Sequence, residues 1–216
     1  MSEVITLIKK DFILDWRQQN PFSSILLYLI STIFTAYLAF QGFMDTEVWN
    51  ALFWIILLFI ATSALSKSFF QEERRSHFYY FLTSPAKLLI AKMLYSFMYF
   101  LSLALLGLFL YSIFLGLPDM DAVLFATNLL LGCIGLSSVF TMVSAIAFRT
   151  STKGVMMAVL GFPIVIPVLL LAIKTSFQIL DGYILEQIQG NLISLFSLDI
   201  AIIALAFILF PFTWRA

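Results

Sequence analysis

The chain has 216 residues, 62% hydrophobic and 11% charged, with a mean hydropathy of +1.03. A soluble globular domain carries about 25% charged residues, so lipid rather than water is the solvent for most of this chain, and no nucleic-acid partner is expected. The formal net charge is zero, Lys+Arg 12 against Asp+Glu 12, but the charges are segregated along the sequence.

The length suits one domain, residues 1–216. In residues 4–19, Val4, Ile5, Ile8, Phe12 and Trp16 recur at helical spacing, with Lys9, Lys10, Asp11 and Arg17 mostly off that stripe. An amphipathic helix with tryptophan and lysines suits a headgroup layer, so residues 1–20 are expected to lie as an N-terminal interfacial helix. The alternative is a plain cytoplasmic extension of the first span.

A membrane-crossing helix needs about 20 apolar residues. Pro21 opens span 1, Phe22–Phe43, and after the acidic turn with Asp45 and Glu47 comes span 2, Val48–Phe70. Charge is dense only in the stretch Gln71–Lys92. Ser84-Pro85 is a helix start, a capping hydroxyl followed by proline at the first helical position, and the helix from Pro85 is expected to run as span 3 to Leu115. Leu117-Pro118-Asp119 is a turn. Span 4, Ala122–Phe148, is uncharged, and Arg149–Gly154 makes a basic turn before span 5, Val155–Ile173. A polar-apolar segment, Lys174–Ser197, is expected to stand apart on the outer side, with Leu180, Ile184 and Ile188 on one stripe of an interfacial helix. Span 6 is Leu198–Thr213, with Ser197 as its cap and Asp199 in its first turn, where a carboxylate suits the helix dipole.

The fold class is therefore an all-α integral membrane protein with six transmembrane helices, whose two ends lie on one side. Lys9, Lys10, Arg17, Lys67, Arg74, Arg75, Lys87, Lys92, Arg149, Lys153 and Arg215 fall on the side of the termini and only Lys174 on the other. The positive-inside rule then places both termini and Gln71–Lys92 in the cytoplasm. No internal repeat of the kind found in many secondary transporters is evident.

No catalytic set is visible. There is no G-x-x-x-x-G-K-[ST] to cradle nucleotide phosphates. The single histidine, His77, and the single cysteine, Cys133, sit in different regions, which leaves no converging metal ligands and no internal disulfide. The spans lack the paired acids of a proton or ion path. An intramembrane enzyme is disfavoured for the same reasons. The charged stretch has an order of its own. Glu72 with Arg75 and Glu73 with His77 stand three and four apart, so each pair can meet on a helix surface. Phe78, Phe81 and Leu82 form an apolar stripe. Residues 71–84 thus suit a short cytoplasmic coupling helix on which another protein can push, the alternative being a solvated loop that anchors topology. In span 5, Pro163 and Pro167 each remove a backbone donor and crowd the carbonyl one turn earlier, which gives either a moving hinge or a static kink. In span 4, Cys133, Ser137, Thr141 and Ala145 make a stripe of small side chains, expected to be a helix-packing seam; a homodimer stays open.

The segment FFQEERRSHFYYFLTSPAKLLIAKMLYSF resembles the stretch between spans 2 and 3 of ABC exporter permeases, with Glu72, Arg74, Ser76, Leu82, Ser84-Pro85 and Lys92 at the matching positions. Within that class the chain is similar to the CcmB family, the haem exporter protein B permeases of cytochrome c maturation. The length, the six-span layout and the run KGVMMAVLGFPIVIPVLLLA carry the likeness. The ABC exporter pattern commonly has glycine where this chain has Ser76, and a leucine and glutamate where it has Phe78-Tyr79-Tyr80.

The resemblance implies a permease of the bacterial inner membrane that has no enzyme activity by itself. Glu72, Glu73, Arg74, Arg75, Ser76, Phe78 and Leu82 would contact a cytoplasmic ATPase subunit (CcmA-like). Haem-handling membrane partners (CcmC-like, CcmD-like) and a haem carrier (CcmE-like) would complete the system. No cofactor is expected on this chain: ATP would act through the partner subunit, and haem would be handled by the complex. Trp16, Trp49, Trp54 and Trp214 are scattered rather than clustered, which speaks against a direct grip on haem. An ABC export permease for lipid-linked sugar or drug is the alternative.

Overall fold

The computed structural model describes residues 2–18, 20–40, 44–65, 84–147 and 153–215. These form seven helices in chain order: α1 (Ser2–Gln18), α2 (Asn20–Phe40), α3 (Thr46–Leu65), α4 (Pro85–Leu115), α5 (Ala122–Ala147), α6 (Lys153–Leu180) and α7 (Leu185–Arg215). There is no strand among the described residues. α2 to α7 are each long and apolar enough to cross a membrane. Large side chains such as Leu27, Leu38, Met98, Phe109, Leu170 and Phe212 cover their outer faces. In water so much apolar surface would be an aggregation liability; facing lipid, it is the solvated face.

α5 is the centre of the bundle. It buries 78% of its apolar window, against at most 50% for any other candidate span. α3, α4, α6 and α7 pack against it, α2 covers α3 and α4 from outside, and α1 lies along α4. The reason is compositional: α5 has no charged residue and many small ones, so neighbours can approach it on every side.

The local starts and stops follow from named residues. The Asp121 carboxylate accepts from the backbone N–H groups of Val123 (2.9 Å) and Leu124 (3.1 Å), which caps α5. Gly116, after the last residue of α4, sits at φ 74°, and Gly182, between α6 and α7, at φ 82°, a left-handed conformation that glycine adopts without a Cβ penalty. Ile184 N–H donates to Gln187 Oε1 (3.1 Å) while Gln187 N–H donates to Ile184 O (3.0 Å), a reciprocal exchange that opens α7.

Three expectations need correction. The segment 174–197 is not a separate element: α6 runs unbroken to Leu180 and α7 begins at Leu185, so only a turn over 181–184 stands between them. Leu180, Ile184 and Ile188 therefore belong to α6, the turn and α7, and Ile188 is buried. The last span starts at Leu185 rather than Leu198. Ser197 and Asp199 are consequently mid-helix residues and neither caps anything. The polar side chains in this region were the cause: Thr175, Ser194 and Ser197 bond back to carbonyls of their own helix, and Ser176 and Gln178 find partners on neighbouring ones, so none needs to leave the membrane. At α4 the expected start is observed, with Pro85 at its first turn, but the Ser84 hydroxyl makes no capping hydrogen bond. Its carbonyl instead accepts from Lys87 N–H and Leu88 N–H.

Candidate functional site

Topology divides the bundle into two ends. One carries the turns 116–121 and 181–184 and the start of α3; the other carries α1, the start of α4 and the end of α7. Among the buried polar side chains along the axis between them, three groups stand out.

Nearest the turn end, Trp49, Phe53, Tyr111 and Phe125 stack at centroid distances of 5.0–6.1 Å. The polar tips of this cluster are satisfied by backbone: Trp49 Nε1 donates to Gly116 O (3.0 Å) and the Tyr111 hydroxyl donates to Trp49 O (3.0 Å). Deeper, Trp54 Nε1 donates to Ser176 Oγ (2.8 Å) and Ser176 Oγ donates to Asn50 Oδ1. Asn50 Nδ2 donates to Ile173 O (2.9 Å) and Asn128 Nδ2 to Ala172 O (2.9 Å). Side chains of α3 and α5 thus hold one turn of α6, ten residues on from Pro163 at Ile173. In a bilayer such groups have no water to turn to, so these bonds fix how α3, α5 and α6 sit together.

The second group is a single residue. Asp199 stands near the midpoint of α7, roughly 20 Å from either helix end at 1.5 Å per residue, and is 1% exposed. Neither carboxylate oxygen has a hydrogen-bond partner among the described residues. The carboxyl rests against Gly135 near the midpoint of α5: a Cβ there would stand 2.5 Å from Asp199 Oδ1 and 2.7 Å from Val168 Cγ1 of α6. One turn away, a Cβ on Gly132 would stand 2.5 Å from the Trp54 ring. Asn128, Gly132 and Gly135 fall on one face of α5 at helical spacing and form the seam where α3, α6 and α7 meet it.

The third group lies at the other end. Lys92 Nζ is 3.0 Å from Asp11 Oδ2 and Lys10 Nζ is 3.1 Å from Asp11 Oδ1; Asp11 and Lys92 are 5% and 3% exposed. Further out, Lys87 Nζ donates to Glu3 Oε2 at 2.7 Å. That hydrogen bond, and the ammonium charge behind it, hold the Glu3 carboxyl below its ordinary value. Leu7 and Asp11 turn inward to α4, while Ile5 and Phe12 stay exposed. α1 is thereby fastened to the first turns of the helix that follows the charged stretch.

The residues singled out from sequence are distributed as follows. Glu72, Glu73, Arg74, Arg75, Ser76, Phe78 and Leu82 lie outside the described residues. Ser137, Thr141 and Ala145 are buried on α5, on the face roughly opposite the Asn128–Gly132–Gly135 seam. A groove of about 330 Å³ between α4, α5 and α7 reaches Ser137 and Ser138 and is otherwise apolar, with Phe97, Ile134 and Phe207 among its walls. Pro163 and Pro167 are both inside α6, which continues as helix through them. Sequence reasoning missed Asp11 with Lys92, Asn50, Trp54, Asn128, Ser176 and Gly135. For Gly132 and Gly135 the signal was present, as the run GCIG within an apolar span; for the pairings across helices no local signal exists.

A family model described as CcmB protein matches residues 2–216. The chain belongs to this family, whose members are multi-pass permeases of cytochrome c biogenesis. No curated protein matches it.

Proposed function

We propose that the chain is the membrane permease subunit of the cytochrome c maturation ABC transporter and that it transmits work from ATP hydrolysis in a separate subunit. Membership of the CcmB family across residues 2–216 is the observation that carries this reading. The chain itself has no nucleotide-binding motif, so the ATPase site belongs to a CcmA-like partner. The product of the work is export of haem, or release of a haem-loaded CcmE-like carrier, at the turn end of the bundle, with CcmC-like and CcmD-like proteins as haem-handling partners.

The mechanism follows from how the helices are tied. The eleven-to-one segregation of Lys and Arg orients the α1 end to the cytoplasm of a bacterial inner membrane. The ATPase subunit docks on Glu72, Glu73, Arg74, Arg75, Ser76, Phe78 and Leu82, directly ahead of α4. Because Lys92–Asp11 and Lys87–Glu3 bind α1 to the first turns of α4, a push at 71–84 moves both helices as one body. α4 lies against α5, and α5 touches α3, α6 and α7, so the displacement reaches the 181–184 turn. Pro163 and Pro167 let the cytoplasmic half of α6 bend while its outer half stays held by Asn50 and Asn128.

The experiment reverses the four charges together, as E72K, E73K, R74E and R75E, and measures co-purification of the ATPase subunit and the yield of c-type cytochromes. Both are expected to fall sharply while the permease still accumulates in the membrane. Undiminished binding and yield would contradict the docking assignment.

A further inference from the structure

Among the described residues, the bundle buries three charged side chains: Asp11, Lys92 and Asp199. The first two meet each other. Asp199 rests against Gly135, and neither of its oxygens has a hydrogen-bond partner among the described residues. An ionised carboxylate in an apolar interior, with no counter-charge and no donor, is far less stable than the neutral acid.

The elements packed on α7 offer no counter-charge at that depth. α5 has no charged residue. α6 has Lys153 in its first turn and Lys174 two turns beyond Val168, the latter exposed. α4 has Lys87 and Lys92 in its first two turns, bound to Glu3 and Asp11. α7 itself adds only Glu186 and Arg215, near its two ends. With 1% exposure and no side chain on Gly135, the carboxyl fills its notch while α7 lies against α5.

We propose that Asp199 is a proton-binding site at the centre of the bundle, held as the neutral acid while the α5–α7 seam is closed. The proton leaves when α7 separates from Gly135 and water reaches the carboxyl, so ionisation and opening of the seam are one linked event. The inference stands on burial and geometry and does not depend on the transporter reading.

The test is the pH dependence of unfolding of the purified full chain in detergent or lipid nanodiscs, wild type beside Asp199→Asn. A native state that keeps a proton which the unfolded chain has released loses stability as pH rises, by about tenfold in the folded-to-unfolded ratio per pH unit. Asparagine has no such proton to keep. The expected result is a wild-type stability that falls from mildly acid to alkaline pH and a variant whose profile is flatter, the variant being the more stable at the alkaline end. Parallel profiles would overturn the proposal. If the variant does not accumulate, the wild type alone decides: an infrared carboxylic-acid carbonyl band that survives in alkaline buffer and vanishes on unfolding supports the site, and its absence from the folded protein overturns it.

Discussion

Asp11 lies where α1 meets the first turns of α4, with Lys92 Nζ at 3.0 Å and Lys10 Nζ at 3.1 Å. Asp199 lies halfway along α7, against Gly135, with neither oxygen bonded. The two carboxyls are about equally hidden, yet one is surrounded by cations at the basic end of the bundle and the other by hydrocarbon at its middle. The difference teaches what burial alone does not. A paired buried charge is a fastening whose loss shows as lost stability, whereas an unpaired one is a group whose charge state is open to change.

The largest expected effect comes from breaking the fastening. Asp11→Leu strips Lys92 of its carboxylate and should destabilise the folded chain by about 3 kcal/mol, read as a lower unfolding midpoint in detergent. Adding Lys92→Met should recover most of that, because a well-packed apolar pair replaces a buried ion pair at little net cost. A single variant as stable as the wild type would remove the fastening from the account.

Next, Gly135→Ala places a methyl 2.5 Å from Asp199 Oδ1 and 2.7 Å from Val168 Cγ1, and should cost about 1–3 kcal/mol. Combining it with Asp199→Ala should give less than the sum of the two single effects, since the second change vacates the space the first invades. Additive losses would mean that the two residues do not share a notch. Ser176→Ala leaves the buried Trp54 indole N–H and Asn50 Oδ1 without their shared hydroxyl, for a loss of about 1–2 kcal/mol. A Trp54→Phe, Ser176→Ala double variant should lose less than the sum of the two single losses, since the first change removes the indole N–H that the second leaves unpaired.

The smallest effect is at the rim. Glu3 is held below the ordinary carboxyl range by its hydrogen bond to Lys87, so its contribution is present above that range and is lost as pH falls through the lowered value. Glu3→Gln should therefore narrow the gap between neutral and acid stability only slightly, and added salt should erase the difference, because the pair is exposed. A large, salt-resistant effect would move this pair from the rim to the fastening.

These contrasts also explain what could be read from the chain alone. α4 was legible at both ends because proline at its start and the Gly116–Pro118 region after it are local signals, and α5 because it is long, apolar and uncharged. The end of α6 and the start of α7 were not. Lys174, Thr175, Ser176 and Gln178 read as a departure from the membrane, whereas Thr175 bonds back to Leu171 O, Ser176 joins α3, and Gln178 accepts from Asn191 on α7. The Asp181-Gly182 pair was the available turn signal. Placing the helix start at Leu198 put Asp199 at a terminus; thirteen residues more of helix put it at the centre. Asp11 and Lys92 are far apart in sequence and only the packing of α1 on α4 unites them, so no spacing argument could have paired them.

The account rests on which end of the bundle faces the ATPase, and one labelling experiment reads that directly. In a Cys133→Ser background, single cysteines replace His77, in the charged stretch, and Tyr183, in the exposed turn between α6 and α7. Intact cells are then treated with a membrane-impermeant thiol reagent. The account predicts that position 183 is labelled and that position 77 is labelled only after the cells are opened. Labelling of position 77 from outside would reverse the orientation and contradict the coupling mechanism.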